Sequence, residues 1–221
     1  MKLPEFFDQV PRLRMQDPLA RLLGSAEDGI LEYGFADAVR LTGHACPTVA
    51  AAYWLTFLAL EQLYPSELPQ RGGIRVEFRD DARTGSTGIV ATVVQMLTGA
   101  AGGSGFKGLH GRFSRVGLIR YKPDLPQTLR FTRLDTGTAV DASADLTLVP
   151  PDDDIDELLH RCADGRATPA EEARLRIAWQ DRVRRLLIDC ARDDGVYMLR
   201  PVEWRQQPAV RQLRVPLVRR T

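Results

Sequence analysis

Cysteine and histidine are scarce in this chain, three of each among 221 residues. Three cysteines cannot all pair with one another, and a reactive thiol is better kept in a reducing compartment, which points to the cytoplasm. Neither sign of charge dominates: 30 basic and 29 acidic side chains leave a formal charge of +1. Bulk charge therefore gives no case for a nucleic-acid or membrane partner. Long apolar runs are missing too. The most apolar window, Val49 to Leu60, is too short for a bilayer and is soon interrupted by Glu61, so it reads as a buried core helix. The segment Met1 to Arg14 carries acids and prolines and lacks the apolar core of a secretory signal. Internal repeats and low-complexity segments are absent, and no Cys-x-x-Cys pair exists to form a zinc knuckle.

A hydrophobic content of 44% in a chain of this length is enough for one good core, or one core plus a small appendage. Asp17 to Gly24 reads as a short helix stopped by Gly24, and Tyr33 to Leu41 as a second. Alternation in Gly73 to Arg79 puts Ile74, Val76 and Phe78 on one face of a half-buried strand. Arg115 to Tyr121 and Gln127 to Leu134 repeat strand-like patterns, joined across Pro123 and Pro126. The fold class these imply is α+β, an antiparallel sheet covered by helices. Pro150-Pro151-Asp152 then punctuates the chain, separating a first domain, 1–150, from a helical C-terminal extension, 151–221. In the extension Thr168-Pro169-Ala170-Glu171 matches a capping box, and a helix should run from it to about Arg192. Its residues Leu175, Ala178, Trp179, Val183, Leu186, Leu187 and Cys190 make one apolar stripe, which needs a partner in the first domain or in a second copy of the chain. The tail from Tyr197 sets Arg200, Arg205, Arg211, Arg214, Arg219 and Arg220 against Glu203 alone and reads as a solvated strand or arm.

Gly43-His44-Ala45-Cys46-Pro47-Thr48 is the segment with the most chemistry. It places two soft metal ligands two residues apart at the mouth of the helix that follows. Pro47 suits the first turn of that helix, so Cys46 falls at its N-cap. A thiol there faces unpaired backbone N–H groups and the positive end of the helix dipole, both of which favour the thiolate.

The stretch from Tyr33 to Ala50, built around this segment, resembles the Gly-His-x-Cys-Pro signature of the FmdE-like family, which takes its name from a component of formylmethanofuran dehydrogenase. Gln95-Met96-Leu97-Thr98-Gly99, followed by a Gly-rich turn and Lys107-Gly108, is similar to that family's second block. The resemblance covers roughly the first half of the chain. It implies an α+β domain, a transition metal, usually zinc, at His44 and Cys46, and a homodimer; it implies no particular reaction. Three departures stand out. Thr42 occupies the place where family members often carry a second histidine. Ala100 replaces the cysteine of the family's Thr-Gly-Cys block, which weakens a redox role. The C-terminal zinc ribbon of many relatives is missing.

A catalytic zinc needs about three protein ligands and an open position. His110, after the Gly-rich turn, is the best third ligand, and Asp37 a weaker one. His160 and Cys162 repeat the His-x-Cys spacing within a helix, where residues two apart point about 200° from each other and cannot share a metal. The Gly-rich segment from Thr98 to Gly108 lacks the Gly-Lys-Ser/Thr of a phosphate loop. It reads either as a turn or as a substrate-contacting lid, with Ser104, Lys107 and Arg112 as the ligand-binding residues and a cation neutralising an anionic ligand beside the metal.

Three functions fit. The first is a zinc-dependent enzyme acting on a small carbonyl or one-carbon substrate, with His44, Cys46 and His110 holding the metal. The second is a non-catalytic metal-dependent binding or accessory module. The third is a metal-free thiol enzyme using Cys46 as nucleophile and His44 as base.

Overall fold

The computed structural model describes residues 2–202. After a short 3₁₀ turn at Glu5–Gln9, the elements are β1 (Leu13–Gln16), α1 (Pro18–Leu22), β2 (Ile30–Tyr33), α2 (Phe35–Thr42), α3 (Pro47–Leu63), β3 (Ile74–Phe78), α4 (Thr87–Thr98), β4 (Ile119–Tyr121), β5 (Leu129–Arg133), β6 (Ala139–Ala144), α5 (Ile155–Ala163), α6 (Pro169–Arg184) and β7 (Tyr197–Val202). The architecture is α+β. β1 and β2 form a two-stranded antiparallel ribbon, and the other five strands form a sheet in the order β4-β3-β5-β6-β7.

The five-stranded sheet is mixed where the residues predict an antiparallel one. β3 pairs with β4 in parallel, whereas β3–β5, β5–β6 and β6–β7 are antiparallel. The cause is the connection: α4 and the Gly-rich loop lie between β3 and β4, and a helical crossover returns the chain in the direction it left. β4 is also shorter than the strand-like run Arg115 to Tyr121. Gly117 holds a φ of 72° and breaks the extended path before Ile119.

α3 is the centre of the molecule. Of its 17 residues, 13 are buried, and only Glu61 and Gln62 in its last turn are exposed. It packs on β5, β6 and β7 across one face of the sheet and against α2, α4 and α6 on its other sides. Its buried polar side chains are all bonded: the Tyr53 hydroxyl donates to Pro11 O at 2.7 Å, Trp54 Nε1 to Ala191 O at 2.6 Å, and Thr56 Oγ1 to Ala52 O at 2.7 Å. Ile74, Val76, Phe78 and Phe131 point at this core, as the alternation requires. The opposite sheet face carries charged pairs, Arg130 with Asp141 and Lys122 with Glu77.

The capping box holds, with Thr168 as N-cap, Pro169 at N1 and Glu171 reaching back to the Thr168 amide at 2.7 Å. α6 stops short of Arg192. At Arg185–Asp189 it widens into a π turn, closed by Cys190 N donating to Arg185 O. The predicted stripe is buried only in its C-terminal half, where Val183, Leu186 and Leu187 are fully enclosed in the core of the same chain, while Leu175, Ala178, Trp179 and Cys190 are half-buried. The extension also returns to the sheet as β7, an edge strand in which Pro201 is tolerated. Arg205, Arg211, Arg214, Arg219, Arg220 and Glu203 lie outside the described residues.

Leu186→Ala should cost about 2–5 kcal/mol, because Leu186 is fully enclosed. Ile177→Ala, at a side chain 73% exposed on the same helix, should cost no more than about 0.5 kcal/mol. Urea unfolding of the two variants measures both.

Candidate functional site

The loop that carries the motif is set by the helices on either side of it. Gly43 ends α2 in the left-handed conformation, φ 78°, with its amide on Val39 O. Thr42 sends its hydroxyl to the main chain, 2.9 Å from Ala38 O and 3.0 Å from His44 O. Thr42 is thus a brace for the loop. Asp37 is engaged as well: Oδ2 accepts from the Gly34 amide at 2.8 Å, capping α2, and Oδ1 pairs with Arg40 at 2.7 Å.

His44 is exposed, and its Nδ1 lies 3.0 Å from Thr42 O. A carbonyl can only accept, so Nδ1 carries the proton and Nε2 of the neutral ring keeps its lone pair. Cys46 is the N-cap of α3, with Pro47 at N1, and its Sγ accepts from Val49 N at 3.4 Å. Between the two, Ala45 is held by the C-terminal extension: Trp179 Nε1 donates to Ala45 O at 2.9 Å and Gln180 Nε2 at 3.4 Å.

Beside this loop lies an apolar groove of about 460 Å³, bordered by Phe7, Val39, Ala45, Leu159, Leu175 and Trp179. That is within the usual size of small-molecule sites. Nothing in the local sequence marks it, because its walls come from the N-terminus, α2, α5 and α6.

The third ligand does not join the pair. Among the described residues no three His, Cys, Asp or Glu side chains stand together as a ligating group, so His44, Cys46 and His110 are not gathered. His110 is exposed at the tip of the Gly-rich loop with a φ of 47°. His160 is exposed and Cys162 half-buried on α5, and all three cysteines are free thiols.

The Gly-rich segment is a tied turn. Ala101 N donates to Arg115 O, Arg115 N to Phe106 O and Gly117 N to Gly102 O, each at 2.8–3.0 Å. These bonds fold the loop back on the chain that follows it. Ser104 and Lys107 are exposed on it. Arg112 lines a different cavity from the groove beside His44 and Cys46, and the two share no wall residue.

Two of that second cavity's arginines, Arg71 and Arg115, meet at Asp17, which the sequence marks only as the first residue of a short helix. Its Oδ1 accepts from the Leu19 and Ala20 amides, and the carboxylate also takes Arg115 Nη2 at 3.0 Å and Arg71 Nη1 at 3.1 Å. Arg115 lies flat over Gly72 and Gly99, where any Cβ would overlap its guanidinium. Burial alone would push the Asp17 carboxyl up, but the Ala20 amide and the Arg115 and Arg71 guanidiniums outweigh it, and the group is held below its ordinary value.

Compared with models of protein families and with curated proteins, the chain matches none. Among the described residues no helix is long and apolar enough to cross a membrane.

Cys46→Ser keeps a capping acceptor and should change stability by no more than about 0.5 kcal/mol, whereas Cys46→Val removes it and should cost about 1 kcal/mol. Thermal unfolding in the presence of a chelator separates the cap from any metal. Asp17→Asn leaves Arg115 buried without its counter-charge and should cost about 3–5 kcal/mol at neutral pH. Since the native carboxyl titrates below its ordinary 3.8, this stabilisation is complete above that pH and disappears as pH falls through the lower native value. Urea unfolding across acid pH should show wild type and variant converging only in strong acid.

Proposed function

We propose that this chain is a metal-binding protein of the FmdE-like type, holding zinc or another soft divalent ion through His44 and Cys46. The observation that carries the reading is the bond between His44 Nδ1 and Thr42 O. Fixing Nδ1 on a backbone carbonyl selects the tautomer and orientation in which Nε2 is the donor, as in most metal-ligating histidines. Cys46, two residues on, offers a sulfur held at the N-cap of α3, where it accepts from the Val49 amide.

The donor types suit zinc, and by number they satisfy half of a tetrahedral set. The remaining positions fall to water, a ligand or a second copy of the chain. When bound, the metal would supply a Lewis acid able to polarise an oxygen or acidify water. The chain's own contribution is to hold the imidazole and thiol in place and to offer an apolar groove, walled in part by Ala45, for the body of a small molecule. A metal-dependent binding module and an enzyme for a small carbonyl compound share these requirements. Thiol catalysis without metal has less support: among the described residues His44 is bonded to a backbone carbonyl and to no carboxylate, so no acid stabilises its ring as it takes a proton.

Cobalt titration of chelator-treated protein should give about one ion per chain and a thiolate-to-cobalt charge-transfer band. Cys46→Ser should abolish the band, and His44→Ala should weaken binding about 10–100-fold. Failure of the wild type to retain cobalt or zinc after dialysis would end the metal reading.

A further inference from the structure

We infer that the cavity between α1, the β3 entry and the Gly-rich loop is an anion site for a phosphate monoester, separate from His44 and Cys46. It measures about 440 Å³ and is walled by Arg71, Arg112 and Arg115 together with Gln70, Phe113 and Ser114.

Charge is the first ground. Three guanidiniums meet one carboxylate there, and Asp17 is already saturated by two amides and two arginines. Two net positive charges are left, which matches the −1.5 to −2 or so of a phosphate monoester at neutral pH better than a single carboxylate. The second ground is unspent hydrogen-bonding capacity. Arg115 is only 6% exposed, yet its Nη1 has no hydrogen-bond partner among the described residues, and Arg71 Nε is in the same condition. Both atoms are covered by protein, Arg115 Nη1 by Gly72 and Gly99, so they leave the two cations under-compensated rather than facing the cavity themselves. Burial, the largest influence on Arg115, and the neighbouring Arg71 together outweigh Asp17, so the Arg115 cation is disfavoured relative to its ordinary state.

The wall argues for an ester over the bare ion. The space exceeds what one phosphate fills, and Arg112 stacks on the Phe113 ring at 4.8 Å, giving a flat face for an organic group. Phe113 holds a φ of 61°, a conformation that bulky residues rarely adopt and that here fixes the ring on this wall. The cavity continues past Arg112 and Phe113 toward Arg21 and the exposed Leu22.

The site stands apart from the metal reading, so it is tested on chelator-treated protein. Calorimetric titration with inorganic phosphate and with phenyl phosphate, at constant ionic strength, should show saturable one-to-one binding, tighter for the ester. Arg112→Gln, at an exposed residue that should leave the fold intact, should weaken both about tenfold or more, equivalent to about 1.4 kcal/mol. Arg40→Gln, at an exposed arginine outside the cavity, should leave binding unchanged. Absence of saturable binding, an Arg112→Gln variant equal to wild type, or an equal loss in Arg40→Gln would overturn the site and assign these arginines to the fold alone.

Discussion

A helix that is apolar all round until its last turn must be enclosed on every side, and α3 imposes that requirement on the whole chain. The sheet covers one side of it, α2 and α4 cover others, and α6 with its π turn closes the last. Alanines at 50, 51, 52 and 59 let the neighbours approach closely, while Tyr53 and Trp54 anchor it by hydrogen bonds to distant loops. Moving such a helix would expose apolar surface at about 25 cal/mol per Å², so its N-terminus is a fixed point. The motif sits at that point. Cys46 is the first residue outside the helix, and Ala45 is gripped from the other side by Trp179 and Gln180. The extension after residue 150 therefore does two things at once: it completes the enclosure of α3 and walls the groove beside the motif.

What the sequence makes legible is what depends on near neighbours. Cys46-Pro47 and Thr168-Pro169-Ala170-Glu171 announce helix starts because caps satisfy amides within one turn, and both caps form. The alternation at Ile74, Val76 and Phe78 and the stripe through Val183 and Leu186 are equally local, and both bury as their periods require. β6 escapes notice because Ala139–Ala144 holds alanine, aspartate and serine where strand formers are expected. It is a strand because β5 and β7 pair on both its sides and Arg130 neutralises Asp141. The parallel direction of β4 is likewise invisible in its three residues, being decided by the crossover through α4.

The candidate sites divide along the same line. His44 and Cys46 are found from spacing and a cap, and the hydrogen bond that orients His44 spans only two residues. The arginine cavity is assembled over long range, since Asp17 meets Arg71 across 54 positions and Arg115 across 98. No pattern within a window of sequence joins those residues. Gly72 and Gly99 carry a trace of the arrangement, for both lie under Arg115. Taken singly, each is only a turn glycine.

The two regions also differ in how their charge is balanced. At Asp17 the fold has already placed a carboxylate between two guanidiniums, so the pair is neutral and the second arginine is in excess. Excess buried charge is destabilising, and it persists only where another interaction repays it. At His44 and Cys46 the groups can exist uncharged, and only deprotonation of the thiol makes an electrostatic demand. An anion would be attracted to the arginine cavity whether or not the motif loop holds anything. With no wall residue in common, the arginine cavity and the groove beside the motif are separate parts of the fold, one charged and one apolar.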